Sequence, residues 1–98
     1  SLHDALPILH FIDTCFMGCD GFMNMDGPTT FAFEEMEVKQ HALRNSTKKY
    51  LLADTSKFHK TGTYKFANFS DFDCIFTTFL NNYERRMVED VQKIVMAL

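Results

Sequence analysis

Apolar residues in this chain gather in short runs separated by polar, glycine- or proline-bearing stretches, and two longer segments carry helical spacing instead. Residues 12–18 form a compact apolar run that ends at Gly18, which predicts a short buried strand. The loop Gly18-Cys19-Asp20-Gly21 comes directly after it. Next is a turn-rich stretch from Asn24 to Thr30, in which Asp26-Gly27-Pro28 breaks any regular element. Thr29 or Thr30 stands where a helix cap belongs, and Glu34, Glu35 and Glu37 stand where a first turn favours acid. Residues 34–46 predict a helix with Met36, Val38, Ala42 and Leu43 as its apolar stripe, closed by Lys48-Lys49. Tyr50-Leu51-Leu52-Ala53, bounded by Asp54, predicts a parallel strand buried on both faces. Residues 64–69 alternate aromatic with small or polar side chains, and residues 74–78 predict another buried strand. Asn81-Asn82 introduces a helix over 83–93, in which Tyr83, Met87 and Val91 recur at every fourth position; residues 94–98 predict the last strand.

Strand, helix, strand, connector, strand, helix, strand is the alternation of an α/β domain. The expected architecture is Rossmann-like, with a mostly parallel sheet. The chain has 98 residues, which limits it to one domain, near the size where a single core is marginal. Residues 1–8 lack the pattern of the residues after them and resemble a leader foreign to the domain, so the domain is taken as residues 9–98. The hydrophobic fraction of 46%, with eleven Phe and no Trp, excludes a disordered chain. A formal net charge of −3 is not that of a free-standing nucleic-acid module, which presents a basic face. No apolar run approaches the roughly 20 residues that a membrane-spanning helix needs, so no membrane partner is expected and the cytoplasm is the default location. Cys15, Cys19 and Cys74 are an odd set with no second pair to complete a metal site, so they are read as free thiols and no metal or cofactor is expected. The Phe-rich stretch 66–79 is read as core rather than as a stacking platform.

In an open α/β sheet, ligands bind beyond the C-terminal strand ends. Two loops leave such ends: Gly18-Cys19-Asp20-Gly21 and Asp54-Thr55-Ser56-Lys57, with Lys39 on the helix between them. Carboxylates accept from hydroxyls, an ammonium pairs with phosphate as a point charge, and glycine lets backbone N–H groups come close. The plainer alternatives stay open: Asp20 as a turn former, Asp54 as a loop cap, Lys57 as a solvated side chain and Gly21 as a conformational need. His3, His10, His41 and His59 show no ligand spacing, and none stands beside a Cys or Ser in a nucleophile–base arrangement.

Several segments, in order, carry a resemblance. They are Phe16-Met17-Gly18-Cys19-Asp20-Gly21-Phe22, Gly27-Pro28-Thr29-Thr30, Glu37-Val38-Lys39, Leu52-Ala53-Asp54-Thr55-Ser56-Lys57-Phe58 and Phe72-Asp73. Over residues 12 to 80 their order and spacing resemble the C-terminal sensor domain of DeoR-family transcriptional regulators, and the Leu-Ala-Asp-x-Ser-Lys-Phe element is the most specific of them. The resemblance implies an effector-sensing domain of a repressor of carbohydrate metabolism, with a ribose-5-phosphate-isomerase-like fold and a phosphorylated sugar as effector. It implies homo-oligomers, and DNA contact only through an N-terminal winged helix-turn-helix that this chain does not include. The first part of the sensor is also outside the chain, so an incomplete domain is expected. By the resemblance, Asp20, Gly21, Lys39, Asp54 and Lys57 are the effector contacts, and Thr29 and Thr30 match the Gly-x-Thr-Thr element. The alternative is a fragment of an enzyme like a sugar-phosphate isomerase. Against it, isomerases carry a lysine after the acidic loop, where residues 27–31 have none, and proton transfer needs a positioned base and an electrophile. No catalytic residue is therefore expected.

Overall fold

The computed structural model describes residues 12–22, 24 and 26–97. The leader at 1–8 and the histidines at 3 and 10 lie outside the described residues. Four strands build the main sheet: β1 (Ile12–Met17), β3 (Ser46–Leu52), β5 (Cys74–Thr77) and β6 (Ile94–Met96). They run in the order β1-β3-β5-β6, and every pairing is parallel. Helix α1 (Phe33–Arg44) joins β1 to β3, and the short helix α2 (Asn82–Met87) joins β5 to β6. The predicted α/β alternation with a parallel sheet is what the chain adopts. One element was not expected from sequence: an antiparallel pair of two-residue strands, β2 (Thr29–Thr30) and β4 (Tyr64–Lys65). Thr29 and Thr30 are therefore strand residues, and the residue that caps α1 is Ala32, which has no capping side chain.

Helix α1 holds acid in its first turn, Glu34 and Glu35, and His41 and Arg44 in its last, as the helix dipole favours. It stops two residues before the expected end. The Asn45 side chain donates to the His41 carbonyl at 2.8 Å and the Ser46 hydroxyl to the Ala42 carbonyl at 2.6 Å, which satisfies the terminal carbonyls. Residues from Ser46 onward then join the ladder with β1. The polar run Ser46-Thr47-Lys48-Lys49 thus belongs to β3. A polar run pairs as well as an apolar one, because the ladder uses backbone groups alone. Of the predicted stripe on α1, Leu43 is buried, Met36 and Ala42 are partly buried, and Val38 is 70% exposed.

Side chains alternate across a sheet, so each strand shows two faces. Cys15, Met17, Leu51, Ile75 and Thr77 point into the core. Phe16, Leu52 and Phe76 are exposed on the opposite side, where Phe16 lies beside Tyr50 and Leu52 beside Phe76 in the register. The Phe16, Tyr50 and Phe76 rings pack within 5.2 to 6.4 Å of one another there. β3 is consequently covered on one face only, contrary to the double burial its apolar run suggested. The core continues beyond the sheet into the connector, where Phe22 meets Phe58 and Phe69 edge-on at 4.6 and 5.0 Å. Phe66, Phe69 and Phe72 are buried as expected, whereas Phe76 and Phe79 are exposed.

Helix α2 is shorter than predicted. Asn81 accepts the Glu84 N–H at 2.8 Å and Glu84 accepts the Asn81 N–H at 3.0 Å, a capping box that fixes the start. The helix ends at Met87, and the chain turns through Val88 to Asp90. Its inner side is therefore Glu84, followed by buried Val88, and not the Tyr83 stripe: Tyr83 is exposed and Val91 lies past the helix.

Candidate functional site

Both loops singled out in the sequence leave C-terminal ends of neighbouring parallel strands, β1 and β3. The first, Gly18-Cys19-Asp20-Gly21, is stitched to β2. The Asp20 N–H donates to the Thr29 carbonyl and the Thr29 N–H to the Gly21 carbonyl, each at 2.9 Å. Asp20 Oδ2 accepts from the Phe31 N–H at 3.0 Å. Thr30 Oγ1 lies 3.0 Å from that same oxygen and 2.6 Å from Glu35 Oε2, so one hydroxyl proton stands between two carboxylates. Thr29 and Thr30 are both fully buried. The Thr29 hydroxyl donates to the Gly21 carbonyl and accepts from the Gly62 N–H at 2.6 Å. These two threonines hold the wall behind the loop, and their side chains do not reach the surface. Gly21 is needed for a close approach: a Cβ there would lie 2.4 Å from the Lys60 carbonyl oxygen.

The second loop is the 3₁₀ turn Thr55–His59 with Asp54 as its cap. Asp54 Oδ1 accepts from the Ser56 N–H at 2.9 Å and from the Ser56 hydroxyl. That hydroxyl, more than any other neighbour, holds the exposed Asp54 carboxyl below the usual carboxylate range. The Lys57 ammonium makes no ion pair or side-chain hydrogen bond among the described residues. Its backbone is fixed nonetheless. The Phe22 N–H donates to the Lys57 carbonyl at 3.1 Å, and Phe58, the next residue, is the fully buried partner of Phe22. The last residues of the two loops are thus joined by one backbone bond and one ring pair.

Lys39 reaches over from α1. Its Nζ donates to the Gly18 carbonyl at 3.0 Å, lies 3.7 Å from Met17 Sδ and stands 5.3 Å from the centre of the Phe66 ring. Cys19 lies in the first loop, half-buried. Burial pushes its thiol up to about 11, and the two ammonium groups, Lys57 more than Lys39, oppose the rise. Lys39 and Lys57, remote in sequence, thus stand on the two segments that flank the ends of β1 and β3. A cleft of about 580 Å³ opens beside Lys39, lined by Met17, Glu34, Glu35, Val38 and Ala42, and it includes neither Asp54 nor Lys57.

The residues thus fall into two groups. Lys39, Lys57 and Asp54 present charge at the surface of the strand ends. Asp20, Gly21, Thr29 and Thr30 form the support beneath. Sequence reasoning passed over Glu35, Cys19, Thr78 and the Glu84–His59 pair. Only the Asn81-x-x-Glu84 spacing carried a readable signal, that of a capping box. Cys15, Cys19 and Cys74 are free thiols. Among the described residues no group of three or more His, Cys, Asp or Glu could hold a metal ion, and no helix is long and apolar enough to cross a membrane.

The ends of an open parallel sheet, with two such loops leaving them, are where α/β domains bind small molecules. The model of the DeoR C terminal sensor domain family matches residues 8–78, and the chain belongs to that family. It is accordingly a regulatory sensor domain that takes a small-molecule effector. No curated protein matches the chain. Helix α2 and strand β6 lie past the matched residues.

Proposed function

We propose that the effector is a phosphorylated sugar, bound beyond the ends of β1 and β3, and that the domain serves a repressor of carbohydrate metabolism. The observation that carries this reading is Lys57 on the turn that follows β3, beside the exposed Asp54 carboxylate, with Lys39 Nζ held 3.0 Å from the Gly18 carbonyl just past the end of β1. Two ammonium groups at the C-terminal edge of a parallel sheet suit a phosphate dianion, and Lys57 has its donors free among the described residues. Asp54 keeps Oδ2 for a sugar hydroxyl while Oδ1 is held by Ser56. Asp20 and Gly21 contribute backbone shape and support, with Thr29 and Thr30 behind them. In a homo-oligomeric parent carrying a DNA-binding domain, the effector would act by population shift, favouring one arrangement and lowering DNA affinity.

The test is a thermal-shift screen against tagatose 6-phosphate, fructose 1-phosphate, glycerol 3-phosphate and the unphosphorylated sugars. Ligand at a hundred times its Kd stabilises the native state by about 2.7 kcal/mol. The expected result is a shift with one phosphosugar, absent with its free sugar and lost on Lys57→Ala. Equal shifts with and without the phosphate would overturn the reading.

A further inference from the structure

The turn that carries Lys57 has little of its own to hold it. It is five residues long, Thr55–His59, and 3₁₀ geometry gives poorer hydrogen bonds than an α-helix. Phe58 roots it from below. Two further anchors come from the segment after β5. At the front, Thr78 Oγ1 accepts the Thr55 N–H at 3.1 Å and lies 3.3 Å from the Thr55 hydroxyl. At the back, His59 Nε2 lies 2.6 Å from Glu84 Oε2. Lys57 is midway, two residues from each anchored residue.

The rear anchor is built more firmly than a surface ion pair. The Glu84 side chain is 8% exposed, and both its oxygens are engaged: Oε1 by the Asn81 N–H at 3.0 Å, Oε2 by His59. Its backbone is set by the reciprocal bond that its N–H donates to Asn81 Oδ1. A carboxylate withdrawn from water this far needs a hydrogen-bonding partner, and His59 supplies one from a ring that is itself 57% exposed. A lysine ammonium rides on a flexible four-carbon stem, so its reach toward a ligand depends on where the backbone turn is held.

We infer that Glu84, through His59, is a positioning residue that clamps the Thr55–His59 turn to α2 and so sets where Lys57 meets its ligand. The inference rests on the proposed phosphate reading for its ligand. It also assigns a task to α2, which lies past residue 78, the last that the family match covers. The contact needs a proton on His59 Nε2, since Glu84 Oε2 accepts.

Amide hydrogen exchange on the full chain, followed by titration with inorganic phosphate, tests it. The variants are His59→Ala, which removes the contact, and His59→Gln, whose side-chain amide can stand in for Nε2. In His59→Ala the Thr55, Lys57 and Phe22 amides should exchange roughly tenfold faster, the order of change governed by one charge-assisted hydrogen bond, while the Leu51 and Ile75 amides keep their rates. Phosphate affinity should fall by a similar factor, and both properties should recover in His59→Gln. The clamp is refuted if the turn amides of His59→Ala keep wild-type rates, if the sheet amides accelerate equally, or if His59→Gln recovers nothing. Wild-type phosphate binding that is unchanged in His59→Ala would remove the positioning role. Exchange behaving as expected in a wild type that binds no phosphate would leave the clamp standing and overturn the phosphate reading instead.

Discussion

The two acidic loops look alike in sequence and differ in the fold. Each follows a parallel strand, each bears an aspartate, and each ends on a buried phenylalanine, Phe22 or Phe58. Asp20 accepts the Phe31 N–H and faces the buried Thr30 hydroxyl, so its carboxylate is engaged by the fold. Asp54 is exposed and bonds only within its own turn. An acid at a strand end can thus belong to the fold or to the ligand. What separates the two is whether a second strand, here β2, comes close enough to use it.

The largest expected effect removes what the loops share. Phe58→Ala takes a fully buried ring from against Phe22 and should cost about 3–5 kcal/mol in urea unfolding, a large part of a small domain's stability. A loss below about 1 kcal/mol would mean that the loops are held independently. The next test sets the aspartates against each other. Asp20→Ala removes the bonds from the Phe31 N–H and the Thr30 hydroxyl and should cost about 1–2 kcal/mol. Asp54→Ala should cost less than about 1 kcal/mol, yet abolish the thermal shift with phosphosugar. If the ranking of stabilities is reversed, the contrast between the loops fails.

Acid offers a subtler probe. Asp54 is held below the usual carboxylate range chiefly by the Ser56 hydroxyl, and Glu84 by the Asn81 N–H and then His59. A depressed carboxylate stabilises the fold above its unfolded value, and that contribution disappears as pH falls through the folded value. Stability should therefore be level through neutral pH and decline below roughly pH 4. In Asp54→Asn/Glu84→Gln the decline, followed by circular dichroism, should be shallower; an identical acid profile would contradict the assignment. The smallest effect concerns Cys19. With its thiol pushed up to about 11, iodoacetamide should label it slowly at pH 8. A bound phosphate that offsets the charge of Lys39 and Lys57 should slow labelling further, whereas faster labelling would place the anion elsewhere.

Much of the fold could be read from the chain because apolar runs and helical spacing report burial directly. The order of the main strands and both helices follow from them, and the resemblance to the family from the motif series, above all Leu52 to Phe58. The rest depended on partners distant in sequence. Ser46 to Lys49 read as the close of the helix because a ladder hides in the backbone. Thr29 and Thr30 read as possible ligand contacts because nothing local says that Gly21, Gly62 and Asp20 will close around them. Tyr83 read as a core residue because spacing by four describes a helix side without saying which side turns inward. The reach of Lys39 from α1 back to the Gly18 carbonyl is a product of the crossover by α1 and has no local signature at all.

The chain contains three tyrosines and no tryptophan, so tyrosine light is emitted without a tryptophan nearby to absorb it. Their settings are distinct. Tyr50 lies between Phe16 and Phe76 on the open side of the sheet, Tyr64 meets Phe33 edge-on at 5.7 Å, and Tyr83 stands exposed beside Glu84 on α2. The protein therefore carries its own optical reporters: one for the sheet, one for the junction of β4 with α1, and one next to the residue that grips the Lys57 turn.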